Sequence, residues 1–117
     1  MNIEVVGFML FDDRNFVRVR LTSMARMTDN EVAQIGKALG DPNRLAIYTQ
    51  IAEHAELCCG EMHGKYAISA ATLSHHLKVL HDLGLITSRK EGLNVYYRLV
   101  PEKFAGYLQY LKNIGKR

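Results

Sequence analysis

Residues 69–83, SAATLSHHLKVLHDL, have the leucine spacing of a helix with one apolar face. The leucines recur at intervals of three or four residues, which places them on one side of an α-helix: Leu73, Leu77, Leu80 and Leu83. Ser69 can cap the first turn with its hydroxyl, and Gly84 stands where helices commonly end. The segment therefore predicts a helix that packs its leucines against the rest of a domain.

The opposite side of this predicted helix has small residues at its start and polar residues further along. It carries Ala70, Ala71, Ser74, His75 and Lys78. A helix that enters the major groove of DNA needs small side chains near the bases, and polar or cationic groups that read base edges and hold phosphates. The helix N-terminus, with its free N–H groups, also favours a phosphate. We therefore predict double-stranded DNA as the partner, contacted from this helix by Ser69, Thr72, Ser74, His75 and Lys78.

The next residues change to the two-residue period of β-strands. LITSRK (85–90) and VYYRLV (95–100) alternate in character, and EGLN (91–94) supplies the Gly and Asn that are typical of a tight turn. Arg89 and Lys90 precede the turn, where they can reach a neighbouring phosphate backbone or minor groove. The pattern predicts a basic β-hairpin, or wing, with Arg89 and Lys90 as its DNA contacts.

Helical periodicity also flanks this region. We predict a first helix capped by Thr28 or Asp29 and ended by Gly40, and a second over residues 42–54 that Asp41 caps ahead of Pro42. A short segment around residues 60–66 follows, and Pro101 opens a last helix. The second helix is predicted to bury Leu45, Ile47, Tyr48 and Ile51. The predicted fold is mainly α with a small β-hairpin wing, a winged helix-turn-helix domain over residues 24–117.

Length and composition limit the alternatives. The chain has 117 residues, enough for one compact domain, and 48% are hydrophobic, which is ordinary for a globular protein. No apolar run approaches the roughly 20 residues of a membrane-spanning helix. The absence of a basic leader and the two adjacent cysteines favour the cytoplasm. Residues 84–117 carry a net charge of +5, against −2 for residues 24–83, an asymmetry found in proteins that bind polyanions.

The first 23 residues have a different pattern. VVGFML (5–10) and FVRVRL (16–21) are rich in strand-forming residues, and DDRN between them is typical of a turn. We predict an N-terminal extension over residues 1–23 that is either a hairpin docked on the domain or a second subunit, or disordered. Translated sequence ahead of a start at Met24 or Met27 is a further alternative.

Three motifs resemble the ArsR/SmtB family of bacterial winged-helix repressors. They are KALGDPNRLAIYTQIAE, ELCCGEM and SAATLSHHLKVLHDLGLITSRKEGLNVYYRL, and the resemblance spans about residues 35–99. It implies a homodimer that binds operator DNA and releases it when an inducer, usually a metal or metalloid, binds. Two features depart from the family pattern: residues 1–23 precede the usual start, and Ala70 stands where many members have Gln or another polar residue.

The resemblance also implies that the first and last helices form the dimer interface. The segment FAGYLQYL (104–111) agrees, since it is more apolar than a lone surface helix needs to be. The helix could instead complete only its own core. In a two-fold dimer the recognition helices meet successive major grooves about 34 Å apart, so the operator is expected to be palindromic.

The metal sites of the family are incomplete in this sequence. The Cys-x-Cys of arsenic- and lead-type sensors corresponds here to Cys58 and Gly60, with Cys59 between them, and residues 101–114 contain no His, Cys or Asp for a zinc-type site. We therefore predict no metal and no cofactor. A thiol- or metal-responsive sensor at Cys58 and Cys59 remains an alternative, because a cysteine at a helix N-terminus has a lowered pKa, and the thiolate is the reactive and metal-binding form. Both cysteines could instead be small packing residues.

Other functions have less support in the sequence. No His–Asp or His–Asn pairing accompanies the cysteines, so we expect no enzyme activity. A winged-helix module that binds a partner protein through the helix and wing is the alternative from another class, favoured by the acidic balance of residues 24–83.

Overall fold

The computed structural model describes residues 27–116, and these form four α-helices, a short 3₁₀-helix and three β-strands. The elements are α1 (Asp29–Leu39), α2 (Pro42–Ala52), β1 (Leu57–Cys58), the 3₁₀-helix (Cys59–Met62), α3 (Ala70–Asp82), β2 (Ile86–Glu91), β3 (Asn94–Leu99) and α4 (Pro101–Gly115). This confirms the predicted winged helix-turn-helix fold. The predicted N-terminal extension, residues 1–23, lies outside the described residues.

Three helices begin at the caps that the sequence predicts. Thr28 and Glu31 form a capping box on α1, in which each accepts the other's backbone N–H at 3.1 Å. Asp41 caps α2 ahead of Pro42 by accepting the Arg44 N–H at 3.0 Å. Ser69 caps α3 in the same way by accepting the Thr72 N–H at 3.1 Å. Such caps satisfy backbone donors that have no partner inside the helix.

One hydrophobic core joins the helices to the sheet. Its largest fully buried side chains come from α1, α2, the 3₁₀-helix, α3 and the chain around β1 and β2: Ile35, Ile47, Ile51, Leu57, Met62, Leu80, Leu85 and Ile86. The prediction that α2 buries Leu45 was wrong, since this side chain is 46% exposed. Leu45 lies two residues before Ile47, about 200° around the helix, so the two cannot share the core face.

The sheet has three antiparallel strands in the order β1-β3-β2, one more than the predicted hairpin. β1 pairs Leu57 with Tyr97 and Cys58 with Tyr96, and it is too short to show a strand period in the sequence. Because successive side chains in a strand alternate between faces, the buried Leu57 and Ile86 define an inner face that packs on the core. The opposite side is the outer face, exposed to solvent.

α1 and α4 contact each other through polar side chains. Lys103 donates to Glu31 at 2.8 Å, and the Tyr110 hydroxyl donates to Asp29. The Lys103 ammonium is the main cause that holds the pKa of Glu31 below its ordinary value. Leu111 and Ile114 lie further along α4 and remain 40% and 47% exposed.

Candidate nucleic-acid interface

The solvent side of α3 forms one exposed strip. Ala70, Ala71, Ser74, His75 and Lys78 are all exposed, whereas Leu73, Leu77 and Leu80 on the opposite side are buried and Leu83 is half-buried. This is the division that the sequence predicts for a helix that enters the major groove. We call these five residues the α3 strip.

The rear of α3 is held by a polar contact as well as by leucines. His76 is 5% exposed, and its Nδ1 accepts a hydrogen bond from Arg44 Nε at 3.2 Å. Arg44 also donates from Nη1 to the Ala38 carbonyl at 3.2 Å, near the end of α1. Arg44 therefore ties the end of α1 and the start of α2 to the middle of α3, which fixes the direction in which the α3 strip faces.

The surroundings of His76 favour its neutral form. Burial, followed by the charge of Arg44, lowers the pKa of His76 below its ordinary value, while the Asp41 carboxylate opposes this shift. The Arg44 amide in turn holds the pKa of Asp41 down. A neutral imidazole can accept the Arg44 hydrogen bond, whereas a protonated one would meet the guanidinium as a like charge.

Three of the predicted contact residues already have partners on α3 itself. The Ser69 hydroxyl accepts the Thr72 amide at 3.1 Å and lies 3.0 Å from the half-buried Thr72 hydroxyl. Lys78 pairs with Asp82 at 2.9 Å, with both side chains more than half exposed. An exposed pair at this spacing is worth only about 0.3–0.5 kcal/mol, so Lys78 can exchange Asp82 for a phosphate.

The two basic residues of the wing face opposite ways. Lys90 pairs with Val95 on the inner face and is exposed near the turn, beyond the part of that face which the core covers. Arg89 pairs with Tyr96 on the outer face. The structure therefore places on opposite faces two residues that the sequence predicts as joint DNA contacts of the wing.

Arg89 is engaged in a network on the outer face. It donates to both oxygens of Glu56 at 2.7 Å and to Glu91 at 2.9 Å, and its guanidinium lies 4.5 Å from the Tyr96 ring centre. These bonds raise the pKa of Arg89, and the Arg89 hydrogen bond is the main cause that lowers the pKa of Glu56. The roles of Glu56 and Tyr96 could not be predicted from the sequence, because their approach to Arg89 depends on strand pairing.

The two cysteines do not face a common site. Leu57 is buried on the inner face, so Cys58 lies on the outer face beside Tyr96, whereas Cys59 is partly buried against the core, with Sγ 3.7 Å from His63 Nε2. Burial, followed by the neighbouring Cys58, raises the pKa of Cys59. The expected lowering of a thiol pKa is therefore wrong for Cys59, which packs inward from a helix of only four residues.

This arrangement does not fit a soft metal ion bound between adjacent thiolates. Within residues 27–116, no three His, Cys, Asp or Glu side chains come close enough to hold a metal. None of the helices in that range combines the length and apolarity that a membrane crossing requires.

Comparison with known proteins identifies relatives across the same region. A family model described as a helix-turn-helix domain matches residues 39–89. The arsenical resistance operon repressor of Staphylococcus xylosus is 39% identical over 82 residues, which cover 70% of this chain and 77% of the repressor. A homologue of the cadmium resistance transcriptional regulatory protein CadC, from Staphylococcus aureus, is 39% identical over 79 residues. That match covers 68% of this chain and 65% of the relative, so this chain spans just under two thirds of it.

A solved structure agrees with these matches. An ArsR-like transcriptional regulator from Rhodococcus sp. RHA1 superposes with a TM-score of 0.65 at 26% identity, covering 74% of this chain and 81% of the regulator. The three relatives are named as regulators or repressors of transcription and not as enzymes. They favour the DNA-binding interpretation over a protein-interaction module.

Proposed function

This chain belongs to the ArsR/SmtB family of DNA-binding transcriptional regulators, and on that premise we propose that it is a homodimeric repressor of a palindromic operator. The observation that carries the proposal is the α3 strip, which is exposed along its length while the other side of the same helix is buried in the core. The strip offers small residues first, then a hydroxyl, an imidazole and a cation. We propose that the α3 strip enters the major groove of the operator. The protein is proposed to act in the cytoplasm.

The proposed contacts divide into base-reading and phosphate-binding groups. Ser74 and His75 carry the hydrogen-bonding groups of the strip and are proposed to face base edges. Lys78 and Lys90 are proposed to meet phosphates, and Ser69 and Thr72 to lie beside the phosphate at the start of α3. Ala70 and Ala71 allow close approach of the helix but supply no polar group.

The dimer is proposed to form through α1 and α4. Support comes from Leu111 and Ile114, which expose an apolar surface on a helix already joined to α1 by polar contacts. A two-fold axis at this surface would present two α3 strips to two half-sites.

Binding to a duplex from the protein's own promoter region, measured by fluorescence anisotropy at several salt concentrations, tests these contacts. Each lost phosphate contact reduces the slope of log K against log salt by about 0.9. We therefore expect Lys78→Ala and Lys90→Ala each to weaken binding to all duplexes and to flatten the slope by about that amount. Lys65→Ala, at an exposed lysine outside the α3 strip, the wing and α4, is the matched control. Slopes identical to wild type in both variants would contradict the phosphate roles.

A thiol- or metal-responsive repressor that uses Cys58 and Cys59 is the second candidate. The approach of Cys59 to His63 favours it, although the two thiols diverge. Titration of the protein–operator complex with zinc, arsenite and an oxidant tests this function, with Cys58→Ser and Cys59→Ser in parallel. Release from wild type but not from a serine variant would support a sensor, and no release by any agent would contradict one.

A further inference from the structure

We propose that Glu56, Arg89 and Tyr96 form a clamp on the outer face of the sheet that orients the wing for DNA binding. In this proposal Arg89 is a positioning residue, and Lys90 makes the wing's phosphate contact. The inference rests on the proposed operator binding, and it assigns different roles to two adjacent cations.

The first argument is that the Arg89 guanidinium is already satisfied on three sides. Nε and Nη2 donate to the two oxygens of Glu56, Nη1 donates to Glu91, and the Tyr96 ring covers one face. Paired N–H donors on one carboxylate are short, directional bonds that fix the orientation of both groups. Three of the five N–H donors are therefore engaged, and a phosphate at the other two would lie beside both carboxylates.

The second argument is the path that the clamp takes across the sheet. Glu56 lies 33 residues before Arg89 and directly precedes β1, while Arg89 belongs to β2 at the opposite edge. Tyr96 lies between them on β3, paired with Cys58 on one side and with Arg89 on the other. The clamp therefore spans all three strands, and it restrains the hairpin against a segment joined to α2.

The third argument is electrostatic. Release of Arg89 would leave the Glu56 and Glu91 carboxylates without their main cation, close to any phosphate that Arg89 had reached. Two carboxylates beside a polyanion are repulsive. Lys90 has no such cost, since it lies on the inner face with no carboxylate in ion-pair range among residues 27–116.

The experiment compares Glu56→Gln with Glu102→Gln, an exposed acid in the first turn of α4. Both substitutions raise the net charge by one, but only the first loosens the clamp. Each variant is titrated with the promoter duplex at several salt concentrations, after its folding is checked by far-UV circular dichroism. We expect Glu56→Gln to bind about three- to tenfold more weakly than Glu102→Gln, the size expected for one bidentate pair. The salt slope should flatten by no more than the value of about 0.9 expected for the Lys90 contact. Arg89→Lys, which keeps the charge but loses the paired donors, should weaken binding by a similar factor.

A coupling measurement distinguishes positioning from general stabilisation. If the clamp aims Lys90 at a phosphate, Lys90→Ala should cost less affinity in the Glu56→Gln background than in wild type. Amide hydrogen exchange should also quicken in β2 and β3 of Glu56→Gln while α3 remains protected.

A direct phosphate contact by Arg89 would change the affinity of Glu56→Gln in the opposite direction. If Arg89 instead contacts phosphate directly, Glu56→Gln frees it and binds as tightly as Glu102→Gln or more tightly, which would overturn the clamp. Equal effects of Lys90→Ala in both backgrounds would overturn it as well. No binding by the wild-type protein at low salt would overturn the proposed operator binding itself, and with it the clamp's role.

Discussion

His76 shows how a single side chain can support the DNA-facing helix from behind. Its imidazole accepts from Arg44, and Arg44 also donates to the Ala38 carbonyl. A histidine in this position serves as a buried acceptor, a role that depends on its neutral form. The neighbouring His75 has the opposite environment, since it is exposed on the α3 strip.

The lowered pKa of His76 predicts a loss of stability in mild acid. Above the ordinary value of 6.5 the imidazole is neutral in both folded and unfolded chains and contributes no pH dependence. As the pH falls below 6.5 the unfolded chain takes up the proton first, so the free energy of unfolding decreases until the folded pKa is passed. Urea unfolding at pH 7.5 and 5.5 should therefore show a smaller difference for His76→Gln, which keeps an acceptor, than for wild type.

His81→Gln is the control for this measurement. His81 is exposed in the last turn of α3, so this variant controls for the loss of an imidazole that is not buried. A pH dependence of His76→Gln equal to that of wild type would show that His76 does not couple protonation to folding.

At the scale of elements, the end of α3 sets the direction of the wing. The Leu85 amide donates to the Leu80 carbonyl at 3.0 Å, and the Gly84 amide donates to the His81 carbonyl at 2.9 Å. This pair of bonds is the Schellman motif, and the buried Leu80 and Leu85 supply the apolar contact that accompanies it. Gly84 has a φ of +76°, which reverses the chain into β2.

We predict that Gly84→Ala lowers the free energy of unfolding by about 1–2 kcal/mol, because an L-residue is strained in the left-handed region. Steric conflict adds little, since a Cβ at Gly84 would meet only the Lys103 side chain, at 3.6 Å. The same substitution at Gly36, inside α1, should instead stabilise by about 0.5–1 kcal/mol. Urea denaturation of both variants measures the change in the free energy of unfolding. Equal changes in the two variants would contradict the requirement for a left-handed residue at the end of α3.

Helices and strands could be predicted from the sequence where the spacing of apolar residues repeats over several helical turns or several strand residues. The leucine spacing of α3, the caps Thr28, Asp41 and Ser69 and the alternation of the wing all have local causes, and the structure contains each. β1 has two residues and no period, so only its pairing with β3 reveals it.

The candidate site was predictable for the α3 strip, and less so for the wing. Arg89 and Lys90 are adjacent in sequence, which suggested a common role. Their separation onto two faces follows from strand register, and the partnership of Arg89 with Glu56 follows from tertiary contact.

The proposed dimer depends on the apolar side chains that are exposed at the end of α4. Within one subunit, α1 and α4 already satisfy Glu31 and Asp29 through Lys103 and Tyr110. Leu111 and Ile114, at the end of α4, instead expose 40% and 47% of their surface within the part of the chain that the structure describes. Burial of apolar surface is the main favourable term in association, so these side chains are the natural centre of a symmetric interface.

We predict that Leu111→Glu dissociates the dimer, because a buried carboxylate facing its symmetry mate would be both desolvated and repelled. Sedimentation equilibrium at micromolar concentration should show a dimer for wild type and a monomer for Leu111→Glu, with far-UV circular dichroism unchanged. Leu93→Glu is the matched control, since Leu93 is 98% exposed at the wing turn and the same substitution there should leave the dimer intact. Operator affinity should also fall in Leu111→Glu, because the two half-sites then bind independently. A wild-type monomer, or a dimer that withstands Leu111→Glu, would contradict the proposed interface, and the second result would move it to another surface.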